Sequence, residues 1–471
     1  MTPAEALDLP LSQLAAALKS RRVKAVALAD EALERLEKRG RPLNAVAALM
    51  PERARAEAAA ADRELDAGRS RGPLHGVPYG AKDLVSAKGA PTTWGTSIFA
   101  GRVIDSDAAV VRKLSEAGAV LVAKLSMVQL AGGFGYHRAA ASLQGPGRNP
   151  WDPTKWAGGS SSGSGAAVAA GCVPFAIGSE TWGSILTPSA LCGIVGLRPT
   201  FGRVSREGAM ALAYSMDKLG PIARRAACAL EVLRAICGHD PRDPSTLPGQ
   251  PAVGSLPSAL DAASLRVGLF LPESLRAKDP AVFDAYRAVA DACGKLCKLE
   301  VLQHPAPDLP ADQAASLTVS VEEATAFEDL IDAGKLVALQ STDGQATARA
   351  DRGIAAVDYL RAQRVRGLLR AAWARTFAKV DAVLSPALGL LAAVAPGIDE
   401  DLDAALDSPD PIGAAGNLLG LPALSLPGPL VRGLPTGMQL VGPAFSEEKL
   451  CSLGAALEAA APWAAQRPPR R

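Results

Sequence analysis

A lysine and two serine-bearing loops are the residues of this chain best suited to covalent chemistry. Lys82 lies in Gly76-Val77-Pro78-Tyr79-Gly80-Ala81-Lys82-Asp83, and downstream come Gly158-Gly159-Ser160-Ser161-Ser162-Gly163-Ser164-Gly165 and Gly178-Ser179-Glu180-Thr181-Trp182-Gly183-Ser184. Serine is a weak nucleophile until a base takes its proton. A lysine amine is a poor base in water, where its pKa is about 10.4. Burial among apolar groups penalises the ammonium form and lowers that value by up to roughly 3–5 units. Lys82 has apolar company in Val77, Pro78, Tyr79, Ala81, Leu84 and Val85. Lysine, serine and serine in this order point to nucleophilic acyl transfer without histidine.

Taken alone, Lys82 would read as a surface lysine paired with Asp83, and its co-occurrence with the two serine loops is what argues for catalysis. Glycine-rich loops also cradle phosphate, but neither loop fits G-x-x-x-x-G-K-[ST] and no G-x-G-x-x-G opens a first βα unit. A flexible linker is excluded as well, because the loop runs directly into the small-residue helix Ala166 to Gly171 and the apolar strand Val173-Pro174-Phe175-Ala176-Ile177. His75 has no histidine near it in sequence and reads as structural, and Asp217 as a supporting acid. Met210 and Met216 read as core or cleft-wall residues.

The elements that must position these groups alternate between helix and strand. Residues 11 to 66 read as helical, with Val26, Ala29, Leu33 and Leu36 on one face. Val110 to Ala117 reads as a helix followed by the buried strand Val120-Leu121-Val122-Ala123, the pattern of a layered α/β domain. Near residue 240 a Pro-rich stretch begins, read as a linker or surface excursion. Beyond it come the strand Arg266 to Phe270, helical patterns over Ala281–Ala292 and about 313–377, and strand-like runs at Ala382-Val383-Leu384 and Ala423–Gly442. The divisions expected are a helical part over 1–66, a core with the reactive residues over 67–240, a variable helical region over 241–380, a return to the core sheet over 381–465 and a tail over 466–471, all within one domain of 1–471.

Composition limits the partners. The chain has 471 residues, 48% of them hydrophobic and 21% charged, enough to bury a large core. Its 50 Lys+Arg against 48 Asp+Glu leave a net charge of +2, with no basic block to follow a phosphate backbone, so nucleic acid is not expected as a direct partner. No signal peptide and no bilayer-length apolar run are evident, so a soluble cytoplasmic protein is expected, without membrane contact. Seven cysteines spread through a long chain suggest reduced thiols. Cys293 and Cys297 could share a helix face but lack the ligands of a zinc set, so neither metal nor cofactor is expected.

The chain is identified by these segments as resembling the amidase signature family, serine hydrolases with a Ser-cis-Ser-Lys triad. The resemblance runs through Gly72-Pro73-Leu74-His75-Gly76-Val77-Pro78, Lys82-Asp83, Pro91-Thr92-Thr93, Asn149-Pro150-Trp151-Asp152-Pro153, both serine motifs, Cys192-Gly193-Ile194-Val195-Gly196-Leu197-Arg198-Pro199-Thr200, Asp217-Lys218-Leu219-Gly220-Pro221, Asn417 to Ala423 and Gly433 to Leu440. It implies an α/β fold with a large mixed sheet covered by helices on both faces. It also implies that Ser184 is the nucleophile, Ser160 the serine after a cis peptide and Lys82 the general base, with Thr181, Trp182, Gly183 and Ser184 offering backbone N–H groups to an oxyanion.

Two departures bear on substrate. Many relatives have glycine where Trp182 stands, which would strain this residue if the position required φ > 0. Many also carry an arginine just after the nucleophile, where this chain has Leu186 and Thr187. The expected activity is therefore hydrolysis of a neutral, apolar or aryl carboxamide through an acyl-enzyme on Ser184, with Gly133, Tyr136, Trp182 and Leu186 as candidate substrate contacts. A monomer or homodimer is expected. The alternatives are an A-subunit-like component of a tRNA-dependent amidotransferase working with hetero-subunits, an allophanate or urea-type hydrolase, and an inactive binding homologue.

Overall fold

The computed structural model describes residues 1–135, 138–256, 262–306, 309–341, 344–387 and 412–469. Among them, eleven strands form one sheet: β1 (Val46–Leu49), β2 (Pro78–Lys82), β3 (Val120–Leu125), β4 (Phe175–Glu180), β5 (Val195–Arg198), β6 (Lys218–Ala223), β7 (Arg266–Leu269), β8 (Lys298–Val301), β9 (Ala382–Pro386), β10 (Ala423–Pro427) and β11 (Gly437–Val441). Their order is β1-β3-β2-β4-β6-β5-β10-β11-β9-β7-β8. β2 lies parallel to both β3 and β4, whereas the run from β4 to β9 is antiparallel throughout. β7 is parallel to β8 and β9. The mixed α/β sheet inferred from the sequence is present.

Every residue of β2, β3, β4, β5 and β6 is buried. Such strands need cover on both faces, which is why they read as apolar runs rather than alternating ones. The helices used below are α1 (Ala25–Arg35), α2 (Pro51–Asp66), α3 (Ala109–Glu116), α4 (Ser162–Ala169), α5 (Leu186–Cys192), α6 (Ala226–Ile236), α7 (Pro280–Gly294), α8 (Ala311–Ala326), α9 (Ala356–Phe377), α10 (Gly413–Leu418) and α11 (Glu447–Ala460). Around β10 the two covering layers can be told apart. A Cβ added at Gly454 of α11 would touch Leu424 and Leu426, whereas Gly196, which pairs with the intervening Ser425, faces Ser189 of α5.

Three local differences from the sequence reading have physical causes. The stretch 11–66 is not wholly helical, because Val46–Leu49 forms β1 and pairs with β3. Its Ala-rich composition hides a strand that tertiary pairing imposes. The region 241–380 carries the expected strand at Arg266 as β7, and beyond it adds β8, which the sequence reading lacks, at the sheet edge. The Pro-rich stretch is not a loose linker at its start: Thr246 Oγ1 accepts from the Asp240 N–H at 3.0 Å, and Asp243 accepts from the Arg206 N–H at 2.7 Å.

The small residues of α4 are explained by close packing. A Cβ at Gly163 would lie 2.4 Å from the Ala45 carbonyl oxygen and 2.5 Å from the Ser126 nitrogen, and one at Gly165 would lie 2.9 Å from Pro188 Cβ. The helix that follows Ser160 is thus wedged between the β1–β3 edge and α5. No helix among the described residues is long and apolar enough to cross a membrane.

Candidate active site

Lys82 is the last residue of β2, Ser160 stands just ahead of α4, and Ser184 occupies the turn between β4 and α5. The Gly159–Ser160 peptide is cis. Lys82 Nζ donates to Ser160 Oγ at 2.7 Å, and Ser160 Oγ donates to Ser184 Oγ at 3.0 Å. Lys82 is fully buried, Ser160 nearly so, and Ser184 is the most open of the three at 8% exposed. The chain of hydrogen bonds therefore runs from a dry interior to the group nearest solvent.

Burial lowers Lys82 to about 7, opposed by the negative charges of Asp217 and Glu180. Asp83 does not neutralise it. The Asp83 carboxylate instead takes Lys124 Nζ at 2.9 Å and the Thr93 N–H at 3.1 Å. A second hydroxyl, Ser179 Oγ, accepts from Lys82 Nζ at 2.9 Å. Two acceptors thus fix the amine. Near neutral pH a good share of Lys82 is uncharged and able to receive a proton passed from Ser184 through Ser160.

The turn bearing Ser184 is held by a buried carboxylate. Glu180 Oε2 accepts from the backbone N–H of Ile185 at 2.8 Å and of Leu186 at 3.0 Å, while Oε1 takes Arg198 Nη1 at 2.8 Å. Both partners of that ion pair have no exposed side-chain surface. Glu180→Ala would leave Arg198 buried and uncompensated, so a loss of roughly 3–5 kcal/mol of stability is expected, measurable by equilibrium urea unfolding.

The left-handed position in this turn is Gly183, with φ 82°, and Trp182 is not among the residues with positive φ. The turn accepts the indole without backbone strain, because the conformational demand falls one residue later. Among the described residues, the N–H groups of Trp182, Gly183 and Ser184 donate to no protein acceptor. Trp182 is partly buried against the core.

A cavity of about 250 Å³ reaches Ser179, the second acceptor of Lys82, although Lys82, Ser160 and Ser184 themselves do not line it. Ser179, Thr181, Asp217 and Lys218 line its inner end, Leu84, Ala131, Met210, Leu212 and Leu219 its walls, and Arg206, Glu207, Arg242 and Asp243 its charged rim. Two segments next to the cavity are tied to α8 by adjacent carboxylates. Glu322 accepts from the Ser215 N–H at 2.8 Å, and Glu323 accepts from the Phe134 N–H at 3.0 Å.

The remaining sequence candidates fall in different places. Leu186 has no exposed surface and is a correction: it starts α5 with its amide on Glu180, and the helix turns its side chain into the core rather than the cleft. Gly133 is buried, and a Cβ there would lie 2.9 Å from the Phe327 ring and 3.0 Å from Leu212, placing it behind the wall rather than on it. Tyr136 and His137 lie outside the described residues. Met210 lines the cleft and Met216 is in the core. His75 is buried and its Nδ1 accepts from the Arg71 N–H at 3.1 Å. Cys293 and Cys297 have sulfurs 3.4 Å apart, and no metal-holding cluster is found among the described residues. Ser179 is the functional residue that sequence reasoning misses, although it stands within the second serine motif. Only the pairing of its strand with β2 brings it to Lys82, and no local sequence pattern announces that contact.

The chain resembles known proteins along nearly its whole length. The family model Amidase matches residues 27–451. The chain is 35% identical over 484 aligned positions to the glutamyl-tRNA(Gln) amidotransferase A-subunit of Chloroflexus aurantiacus, covering 96% of each chain. It superposes on the native peptide amidase of Stenotrophomonas maltophilia with a TM-score of 0.86 at 32% identity, covering 98% of both chains. A chain from a vestigial protein complex, described with the evolutionary origins of an s-triazine catabolic enzyme, gives a TM-score of 0.85 at 30% identity, covering 96% of this chain and 98% of that one. A family match over nearly the whole length, on a mixed sheet shared with solved amidases, establishes that this protein belongs to the amidase signature family and is an amide-hydrolysing enzyme.

Proposed function

We propose that the protein hydrolyses the C–N bond of a neutral, apolar or aryl carboxamide through an acyl-enzyme on Ser184. The observation that carries this reading is the hydrogen-bonded series from buried Lys82 through Ser160 to Ser184. Neutral Lys82 draws a proton through Ser160 as Ser184 Oγ attacks the carbonyl carbon. The backbone N–H groups of Thr181, Trp182, Gly183 and Ser184 receive the developing oxyanion, each critical donor contributing roughly 3–4 kcal/mol. Ser160 then protonates the departing nitrogen, which leaves as ammonia or an amine. Water activated by Lys82 adds to the acyl-enzyme, the Ser184–acyl bond breaks, and a carboxylic acid is released.

The substrate class rests on the cleft. Its walls are aliphatic, and its cations are already engaged: Arg206 Nη1 donates to the Tyr214 carbonyl at 2.7 Å, Arg242 Nε to Asp240 at 3.1 Å, and Lys218 Nζ to Asn417 at 2.9 Å. A substrate carboxylate would have to compete with the partners these cations already hold and would meet the acids Glu207, Asp217 and Asp243 beside them. A neutral carboxamide is expected to exceed its carboxylate-bearing analogue in kcat/KM by about tenfold or more, the equivalent of about 1.4 kcal/mol. Ammonia release from matched pairs tests this, and preference for the anionic member would overturn it.

The second reading is an amidotransferase-like component, favoured by the identity to the amidotransferase A-subunit along 96% of both chains. Amide hydrolysis by the purified chain alone supports the first reading. Glutamine hydrolysis that appears only with a copurifying partner protein supports the second.

A further inference from the structure

Resting on the reading of Ser184 as the nucleophile, we propose that Asp217 is a positioning residue that fastens the nucleophile turn to the wall of the neighbouring cavity. The carboxyl of Asp217 is divided between two structures. Its Oδ1 accepts from Thr181 Oγ1 at 2.5 Å, and Thr181 opens the turn that leads to Ser184. Its Oδ2 accepts from the N–H groups of Leu212 at 2.8 Å and Ala213 at 3.0 Å, in the segment whose Leu212 lines the cleft. The loop closes on itself where the Asp217 N–H donates to the Ala213 carbonyl at 2.9 Å. One carboxylate thus spans the residues that would hold the oxyanion and those that would hold the acyl group. A substrate pressing on the wall bears directly on the turn.

Charged groups reach Asp217 from several elements. Burial raises the Asp217 carboxyl, while Lys218 of β6 and Arg206, from the loop between β5 and β6, favour its charged form; Arg206 Nη1 also donates to the Asp217 carbonyl at 3.4 Å, and Lys82 at the end of β2 feels both Asp217 and Glu180. Lys218 is turned toward Asn417 and the Thr181 carbonyl, and Glu180 is paired with Arg198. Of the acids acting on Lys82, Asp217 has the greater influence, favouring the ammonium form and opposing the effect of burial. A buried amine left to burial alone would be a weaker base.

Three variants separate charge from attachment. Asp217→Asn retains an acceptor for Leu212 and Ala213 and an amide for Thr181, but removes the charge. Lys82 then loses the partner that favoured its ammonium form, so the acid limb of kcat/KM against pH moves to lower pH, with KM nearly unchanged. Thr181→Val cuts the tie to the turn and leaves the charge, so kcat falls about tenfold or more while the acid limb stays in place. Asp217→Ala removes both, raising KM and lowering kcat. Asp217→Asn and Thr181→Val keep the test open if the alanine variant fails to fold. Wild-type kcat in Thr181→Val overturns the proposal, and a tenfold or greater loss with an unmoved acid limb supports it. If Ser184→Ala itself keeps wild-type activity, the reading of Ser184 as nucleophile fails instead, and the two failures are thereby distinguished.

Discussion

Ser184→Ala is expected to abolish amide hydrolysis, lowering kcat by roughly 10⁴- to 10⁶-fold, as loss of the nucleophile does in serine hydrolases generally. The only atom removed is the Oγ that accepts from Ser160 at 3.0 Å, and the neighbouring turn keeps its hold through Glu180. The fold should therefore survive, and circular dichroism with an unchanged melting temperature would document it. A serine-directed fluorophosphonate should label the parent protein stoichiometrically and Ser184→Ala not at all. Near-normal turnover in the variant would remove Ser184 from the mechanism. Absence of labelling in the parent would point to the inactive binding homologue, with Trp182 obstructing the turn.

The second large effect centres on Lys82. Lys82→Ala is expected to lose at least the roughly 10²- to 10⁴-fold that a positioned base contributes. The pH profile of the parent is the sharper measurement. Catalysis requires the neutral amine, and burial brings Lys82 down to about 7. Below that point activity should fall about tenfold per pH unit as the amine becomes charged, and above it the profile should level off. The sign follows from the role: a group that must lose its proton gives a limb rising with pH. A profile flat from about pH 5 to 9 would exclude a lysine base in this environment. Lys82→Arg keeps a cation and offers no usable base, so it should resemble Lys82→Ala in activity.

Much of the site is legible in the sequence because its chemistry is carried by residue types at fixed separations. Lys82, Ser160 and Ser184 are held by three segments that share a strand end, a helix start and a strand-to-helix turn, and the structure brings their polar atoms into one series. What sequence does not convey is direction. Leu186 follows the nucleophile by two residues, yet α5 begins there and turns it inward. Ser179 and Asp217 matter through contacts with Lys82 and Thr181 that no local pattern encodes. The fold shows the same division. Runs such as Val120–Leu125 announce buried strands, whereas Val46–Leu49, rich in alanine, becomes a strand because β3 offers it an edge. Trp182 is a liability only if its own backbone must be left-handed, and the positive φ at Gly183 removes that difficulty.

The paired carboxylates of α8 have an evolutionary meaning. Glu322 and Glu323 stand side by side in sequence but hold two separate segments, at Ser215 and Phe134, 107 and 189 residues away along the chain. The groups proposed to break the bond sit at the end of β2, ahead of α4 and in the turn before α5, while segments beside the cavity are held by a helix that contributes none of them. Heredity can therefore alter what the enzyme accepts without rewriting how it cuts. A lineage is free to explore new amides by drifting in α8, with Lys82, Ser160 and Ser184 left untouched.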